Sequence, residues 1–119
     1  MTRDEMKSRT KAYANRIINL CSALPNNWVA QTLGKQLLRC GTSVGANYRA
    51  VCRAKSSSDF INKLRIVEEE CGESLFWVEL LVENILIKLA RLKELMQEAD
   101  EILASVVASA KTARSSDRA

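Results

Sequence analysis

Four basic side chains recur along one predicted helix at a spacing suited to a phosphate backbone: Lys35, Arg39, Arg49 and Arg53. A helix turns about 100° per residue, so these positions fall within an arc of about 80° opposite the apolar stripe of the same helix. Arginine binds phosphate in bidentate fashion, and several such contacts together give a salt-dependent affinity for polyanions. The pattern therefore predicts contact with an RNA or DNA backbone without readout of base sequence.

Further basic residues extend this surface onto neighbouring elements. Arg3, Lys7 and Lys11 follow an i, i+4, i+8 row, and Lys55 and Lys63 lie at or after a serine turn. Residues 1–65 carry 12 basic and 3 acidic side chains, whereas residues 66–119 carry 6 basic and 11 acidic ones. Such segregation is typical of a polyanion-binding surface, but it can equally draw identical subunits together or merely keep the surface solvated. Both the binding and the assembly interpretations stay open.

Catalytic chemistry has little support in the sequence. The absence of histidine removes the Ser-His-Asp and Cys-His systems, and also the histidine ligands of di-iron bundles. The cluster Glu68, Glu69, Glu70 and Glu73 is expected to be solvated or to meet basic neighbours, not to bind a metal. The segment 41–45, GTSVG, lacks the Lys-Ser/Thr pair of a phosphate-binding loop. We therefore predict a protein that is not an enzyme and has no cofactor and no metal.

The cysteines and the lengths of the apolar segments indicate the cellular compartment of the protein. Cys21, Cys40, Cys52 and Cys71 have no CxxC spacing and fall on or beside apolar stripes, where free cysteine acts as a small hydrophobe. No apolar run approaches the roughly 18–20 residues that span a bilayer. The first residues lack the apolar segment of a signal peptide. A cytoplasmic protein without a membrane partner is expected.

Apolar periodicity predicts four helices. The first begins near Thr2, which has capping-box spacing to Glu5, and Pro25 ends it. The second covers about 28–53, a serine turn leads into the third, and the fourth covers about 90–111. Short connections favour an all-α, antiparallel up-down four-helix bundle over residues 1–111, followed by a flexible tail at 112–119.

Three features of the predicted helices concern packing. Gly41 and Gly45 cost about 1 kcal/mol each inside a helix, so we expect a neighbouring backbone to approach them closely. Asn47 borders the apolar stripe and is expected to need a hydrogen-bond partner that could fix helix register. The run from Leu75 to Val82 is apolar almost all round, beyond what one core-facing stripe requires. Its second face predicts a subunit interface formed by Phe76, Trp77, Leu80 and Leu81.

The order of residues from Gln36 to Leu81 resembles the bacterial four-helix-bundle family called S23 or 23S-rRNA-intervening-sequence proteins. The resemblance rests on small, polar and apolar residues in a fixed order: Gln36-Leu37, Arg39, Ser43-Val44, Ala46-Asn47, Ser58, Asp59-Phe60, Leu64 and Ile66. The chain departs from the family's acidic-glycine ending of the second helix, because Arg49-Ala50 and Arg53 make that end more basic. The likeness covers about residues 5–110.

The resemblance implies a cytoplasmic homopentamer of four-helix bundles. The family is related to the accessory variability proteins of diversity-generating retroelements, whose basic ring surface binds a reverse transcriptase and nucleic acid. The resemblance therefore implies a non-enzymatic accessory protein with RNA or DNA and a reverse transcriptase as partners. A purely protein-binding or structural oligomer is the alternative.

Overall fold

Four long α-helices make up the fold in the computed structural model, which describes residues 1–118. They are α1 (Arg3–Ser22), α2 (Trp28–Val51), α3 (Ser57–Glu83) and α4 (Lys93–Arg118), with a 3-10 turn at Leu89–Arg91 before α4. Each helix packs mainly on its neighbours in sequence, and α1 also touches α4. The described chain is an elongated bundle of 52 × 22 × 21 Å without a strand. The predicted all-α class with four helices is confirmed.

Polar side chains cap the starts of three helices. Thr2 accepts from the backbone N–H of Glu5 while the Glu5 carboxylate accepts from the N–H of Thr2, which confirms the predicted capping box. Asn27 caps α2 through Ala30, and Ser56 caps α3 through Asp59. Each cap satisfies an N–H group that the first helical turn leaves unpaired.

The helix ends depart from the prediction in four places. Helix α1 stops at Ser22, three residues before Pro25, and α2 stops at Val51 instead of residue 53. Helix α4 begins at Lys93, because the residues before it form the 3-10 turn, and it continues past Lys111 to Arg118. Whether residues 112–119 are flexible stays a prediction, and Ala119 lies outside the described residues.

The buried faces of α2 and α3 depart from their most apolar arcs at a few positions. In α2, Ala30 and Gly34 are buried, whereas Val29 is exposed and Leu33 is half-buried. In α3, Ser74 and Leu81 are buried, whereas Leu75 and Val82 are half-buried. The reason is that each of these helices contacts two neighbours, so the inward side is the bisector of two contacts and not the most apolar arc.

Glycines let α1 and α2 approach each other closely along what we call the α1–α2 seam. A Cβ added at Gly45 would lie 3.2 Å from the carbonyl oxygen of Thr10, and one at Gly41 would lie 2.8 Å from Cγ1 of Ile17. At Gly34 the obstacle is the Leu24 side chain at 2.7 Å. The predicted close backbone approach is confirmed at Gly45, where the neighbouring atoms belong to the α1 backbone.

The core contains a small number of satisfied polar groups. The Tyr13 hydroxyl and the Ser74 hydroxyl lie 2.8 Å apart, and Ser74 also lies 2.6 Å from the carbonyl oxygen of Cys71. Asn47 donates to the carbonyl oxygen of Ser43, which is in its own helix, at 2.9 Å. Asn47 therefore finds the expected partner, but it does not fix the register between helices in the way that the sequence suggested. Tyr13 and Ser74 make a buried polar contact between helices instead.

Candidate nucleic-acid interface

Three of the predicted basic residues lie along the outer side of the α1–α2 seam. Arg3 precedes Thr10 by seven residues and so shares its side of α1, and Thr10 contacts Gly45 of α2. Lys7 lies one turn after Arg3 on the same flank. On α2, Arg49 lies one turn beyond Gly45 and so leans toward α1. Helix geometry thus brings Arg3, Lys7 and Arg49 to one surface.

The same end of the bundle holds a cleft beside the start of α3. Its volume is about 370 Å³, and Arg3 and Lys55 line it together with Cys52 and Phe60. The Arg3 guanidinium lies 5.9 Å from the centre of the Phe60 ring, a distance that allows a cation–π contact. Arg53 is exposed in the turn that follows α2. We call this set the basic end: Arg3, Lys7, Arg49, Arg53 and Lys55.

Arg39 lies apart from the basic end because it is paired with α3. Its Nη2 lies 2.7 Å from Oε1 of Glu73, and its Nη1 lies 3.4 Å from Oε2 of Glu70. The hydrogen bond with Glu73 raises the pKa of Arg39, and the nearby Glu73 and Glu70 charges act in the same direction. Two carboxylates already occupy this guanidinium, so a phosphate would have to compete with them.

Lys63 is likewise engaged within its own helix. Its ammonium lies 2.6 Å from Oδ2 of Asp59, one turn earlier. The hydrogen bond from Lys63, followed by that from the backbone N–H of Lys55, holds the pKa of Asp59 below its ordinary value. Lys11 and Lys35 are exposed, and Lys35 lines a shallow cleft near the other end of α2. Of the nine basic residues predicted to contact nucleic acid, five therefore lie in the basic end and four lie outside it.

Two arginines that the sequence analysis did not single out hold α1 to α4. Arg9 contacts Glu98 in a bidentate pair, with Nε to Oε1 at 2.7 Å and Nη2 to Oε2 at 2.9 Å. Glu101 lies 3.7 Å from the same guanidinium, and Arg16 lies 3.9 Å from Glu94. These pairs join positions far apart in sequence, and only the i, i+4 spacing of Glu94 and Glu98 hinted at a common face of α4.

The predicted subunit interface keeps three of its four residues at the surface. Phe76 is 51% exposed and packs edge-on against Trp77, with ring centroids 5.2 Å apart. Trp77 and Leu80 are half-buried. Leu81 is 0% exposed within its own chain, so the prediction for this residue is wrong. It belongs to the core because it lies three residues beyond Val78 on the inward side of α3.

The chemistry available elsewhere in the bundle is limited. Across the described residues, no three His, Cys, Asp or Glu side chains converge in a way that could hold a metal ion. Burial raises the pKa of Cys40 and of Cys71 to about 12, which keeps both thiols protonated and unreactive at neutral pH. Within the described range, no helix has the length and apolar character to cross a membrane.

The fold and the arrangement of charges define an all-α bundle with one basic end. The sequence model of the family described as 23S rRNA-intervening sequence protein matches residues 4–108. The chain therefore belongs to this family, as the sequence resemblance indicated.

A crystal structure of similar fold comes from Bacteroides thetaiotaomicron and is described as a protein with unknown function from the S23 ribosomal protein family. It is 35% identical to this chain, with a TM-score of 0.86. The match covers 93% of this chain and 99% of that one. No curated protein matches this chain significantly.

Proposed function

We propose that the protein is a non-enzymatic, cytoplasmic accessory protein whose basic end binds the phosphate backbone of RNA or DNA. The observation that carries this proposal is the difference in pairing among its cations. Arg3, Lys7, Arg49, Arg53 and Lys55 gather at one end, and none lies within ion-pair distance of a carboxylate among the side chains described. Unpaired cations can exchange bound counterions for phosphates without first breaking an internal salt bridge.

The mode of binding follows from the side chains at this end. Phe60 lies beneath Arg3 and is half-buried, and the flank of α1 that bears Lys7 and Lys11 has no aromatic residue. Stacking of splayed single-stranded bases therefore has few partners. Contacts to phosphate and sugar fix position without reading sequence. Binding should be strongly salt-dependent and indifferent to base composition.

Assembly would multiply these contacts. The family resemblance supports a homopentamer, and the exposed apolar side chains of α3, above all Phe76 beside Trp77, offer a surface for association. A ring of five copies would present five basic ends to one polyanion, which raises avidity without any new contact. The relation to retroelement accessory proteins adds a reverse transcriptase as a candidate partner.

A second function has a specific observation in its favour. Helix α2 contains no acidic residue, whereas α3 contains seven. Such complementary faces could join copies of the chain to one another instead of to nucleic acid. The protein would then be a structural or protein-binding oligomer, and its basic end would serve assembly.

Arginine substitutions on one helix test the proposal. Arg49→Ala should lower the slope of log affinity against log salt by about 0.7–0.9 for each copy in contact. Arg39→Ala is the matched control, because this guanidinium is already paired with Glu73 and Glu70, and it should leave the slope nearly unchanged. The measurement is fluorescence anisotropy with mixed-sequence RNA and duplex DNA over a salt series.

The triple charge reversal Lys7→Glu, Arg49→Glu and Arg53→Glu should abolish binding while the helical circular dichroism is retained. If the wild-type protein fails to bind at low salt, or if the triple variant binds equally well, the nucleic-acid function is wrong. A triple variant that also loses its oligomeric state by light scattering would favour the assembly function.

A further inference from the structure

Ile85 adopts a backbone conformation that isoleucine rarely takes. Its φ is 57°, and it is the one non-glycine residue with positive φ in the described chain. The C-terminus of α3 explains the geometry. The N–H of Leu86 donates to the carbonyl oxygen of Leu81, and the N–H of Ile85 donates to that of Val82. These two bonds form a Schellman motif, whose left-handed position is usually glycine because a Cβ is disfavoured there.

The side chain of Ile85 is barely buried within its own chain, so packing there does not offset the unfavourable backbone conformation. It is 87% exposed, more than any other large apolar residue in the described chain. A β-branched residue with positive φ is a genuine outlier, and residues held in such conformations cluster at functional sites. The strain and the exposure are independent observations, and both point to a contact that lies outside the folded monomer.

The residues that follow Ile85 make its surroundings basic. From Asn84 to Lys93 the chain has three cations, Lys88, Arg91 and Lys93, and no carboxylate. The nearest acidic residues are Glu83 and Glu94 at either side, and Glu94 lies 3.9 Å from Arg16. We call Ile85 with Lys88 the knob.

Two carboxylates mark a candidate acceptor surface on the outer side of α3 and α4. A cleft of about 480 Å³ is lined by Glu68, Glu69, Gly72 and Leu103, with Arg65 also at its edge. A Cβ added at Gly72 would meet nothing within 4 Å, so the glycine leaves room for a guest side chain. Phe76, one turn further along α3, continues this surface. We call this cleft the hole.

We propose that the knob of one copy docks into the hole of a second copy. The Ile85 side chain would pack over Gly72 and Leu103, while Lys88 would face Glu69 and Glu68. Each copy then gives a knob to one neighbour and a hole to the other, which is a heterologous contact. Such a contact forms a ring where its rotation closes and an open filament where it does not. This inference deepens the proposed oligomer and is independent of nucleic-acid binding.

Sedimentation velocity of the full chain over a concentration series tests the contact. Ile85→Asn removes the apolar group and substitutes a residue that tolerates positive φ, and Gly72→Leu fills the hole. Each should raise the dissociation constant of the assembly by about tenfold or more. Ile18→Asn is the matched control, since Ile18 is an exposed isoleucine on α1, and it should change the constant less than about twofold.

A charge swap provides the second measurement. Lys88→Glu and Glu69→Lys should each weaken assembly, and the double variant should recover most of the loss because the pair is restored with its signs exchanged. Glu69→Lys also gives a background for a stability test, at a concentration where this variant is monomeric. Adding Ile85→Asn there should raise the denaturation midpoint, which would show that the conformation at Ile85 is strained and that the loss of assembly is not misfolding.

The outcomes distinguish the knob-and-hole contact from the proposed oligomer. If the wild-type chain assembles and both Ile85→Asn and Gly72→Leu assemble equally well, the knob and hole are wrong while the oligomer stands. If the wild-type chain is a monomer at every concentration, both the contact and the proposed oligomer are wrong. Failure of the double charge variant to recover would show that Lys88 and Glu69 do not face each other.

Discussion

Helix α1 is held on its two sides by different forces. Toward α2 the contact is steric, because Gly41 and Gly45 admit the side chain of Ile17 and the backbone of Thr10 at close range. Toward α4 the contact is electrostatic, through Arg9 with Glu98. The α1–α2 seam contains no ion pair between described side chains, and the α1–α4 side packs much less extensively.

This difference explains where the basic end can form. A seam closed by small residues does not use its flanking cations for cohesion, so Arg3, Lys7 and Arg49 stay unpaired. On the opposite side of α1, Arg9 and Arg16 pair with carboxylates of α4, and these carboxylates neutralise their charge. Close packing has a sharp optimum in volume, whereas partly exposed ion pairs contribute little and are screened by salt. The two sides should therefore respond to different perturbations.

The largest expected loss of stability is at the α1–α2 seam. Gly45→Leu places a side chain where even a Cβ would lie 3.2 Å from a backbone oxygen that cannot rotate away. We expect a loss of about 3 kcal/mol or more in the free energy of unfolding. Ser57→Ala, in the exposed first turn of α3, should change it by less than about 0.5 kcal/mol. Urea denaturation compares the two, and equal midpoints would show that the seam can open at little cost.

Local sequence patterns predicted those features of the bundle that depend on residues close together in the sequence. The Thr2–Glu5 capping box and the close approach at Gly45 follow from residue type and helical spacing. The gathering of Arg3 with Arg49 required the pairing of α1 with α2, which an up-down bundle supplies.

The ion pairs could not be predicted in the same way. Arg9 and Glu98 are 89 positions apart, and their meeting depends on the rotation of two helices about their axes. That rotation is set by packing on two sides, and the same effect moved Leu81 into the core. Ile85 continues the apolar periodicity of α3, which predicts an inward side chain, but the residue is 87% exposed. Its positive φ is expected of glycine and not of isoleucine.

A smaller effect, spread over a range of pH, should come from the packed core. Burial raises the pKa of Cys40 and Cys71 from the ordinary value of 9.0 to about 12. Above pH 9 the unfolded chain loses these protons while the folded chain keeps them, so stability falls as the pH rises from about 9 to about 12. The α1–α4 side should not contribute in this range, because the hydrogen bond with Glu98 raises the pKa of Arg9 above its ordinary value.

Substitution of both thiols checks this assignment. The variant Cys40→Ala with Cys71→Ala should be less stable at neutral pH, since two small cavities replace the sulfur atoms. Its free energy of unfolding should nevertheless fall less steeply between pH 9 and 12 than that of the wild type. Urea titrations at a series of pH values give both slopes, and identical slopes would place the alkaline sensitivity in other groups.

The smallest effect is expected at the electrostatic side. Arg9→Met keeps an unbranched stem against α1 and α4 but loses the bidentate pair with Glu98. The pair is partly exposed, with 31% and 22% of the two side chains accessible, so its removal should cost about 0.5–1 kcal/mol at low salt and less at high salt. Arg49→Met is the control, because Arg49 has no carboxylate partner within the described chain, and this variant should show neither a loss of stability nor a dependence on salt.

A double-mutant cycle with Glu98→Gln isolates the pairwise energy between Arg9 and Glu98. A coupling as large as the effect of Gly45→Leu would mean that α4 depends on this pair as strictly as α2 depends on its glycines, and the contrast between the two sides of α1 would fail.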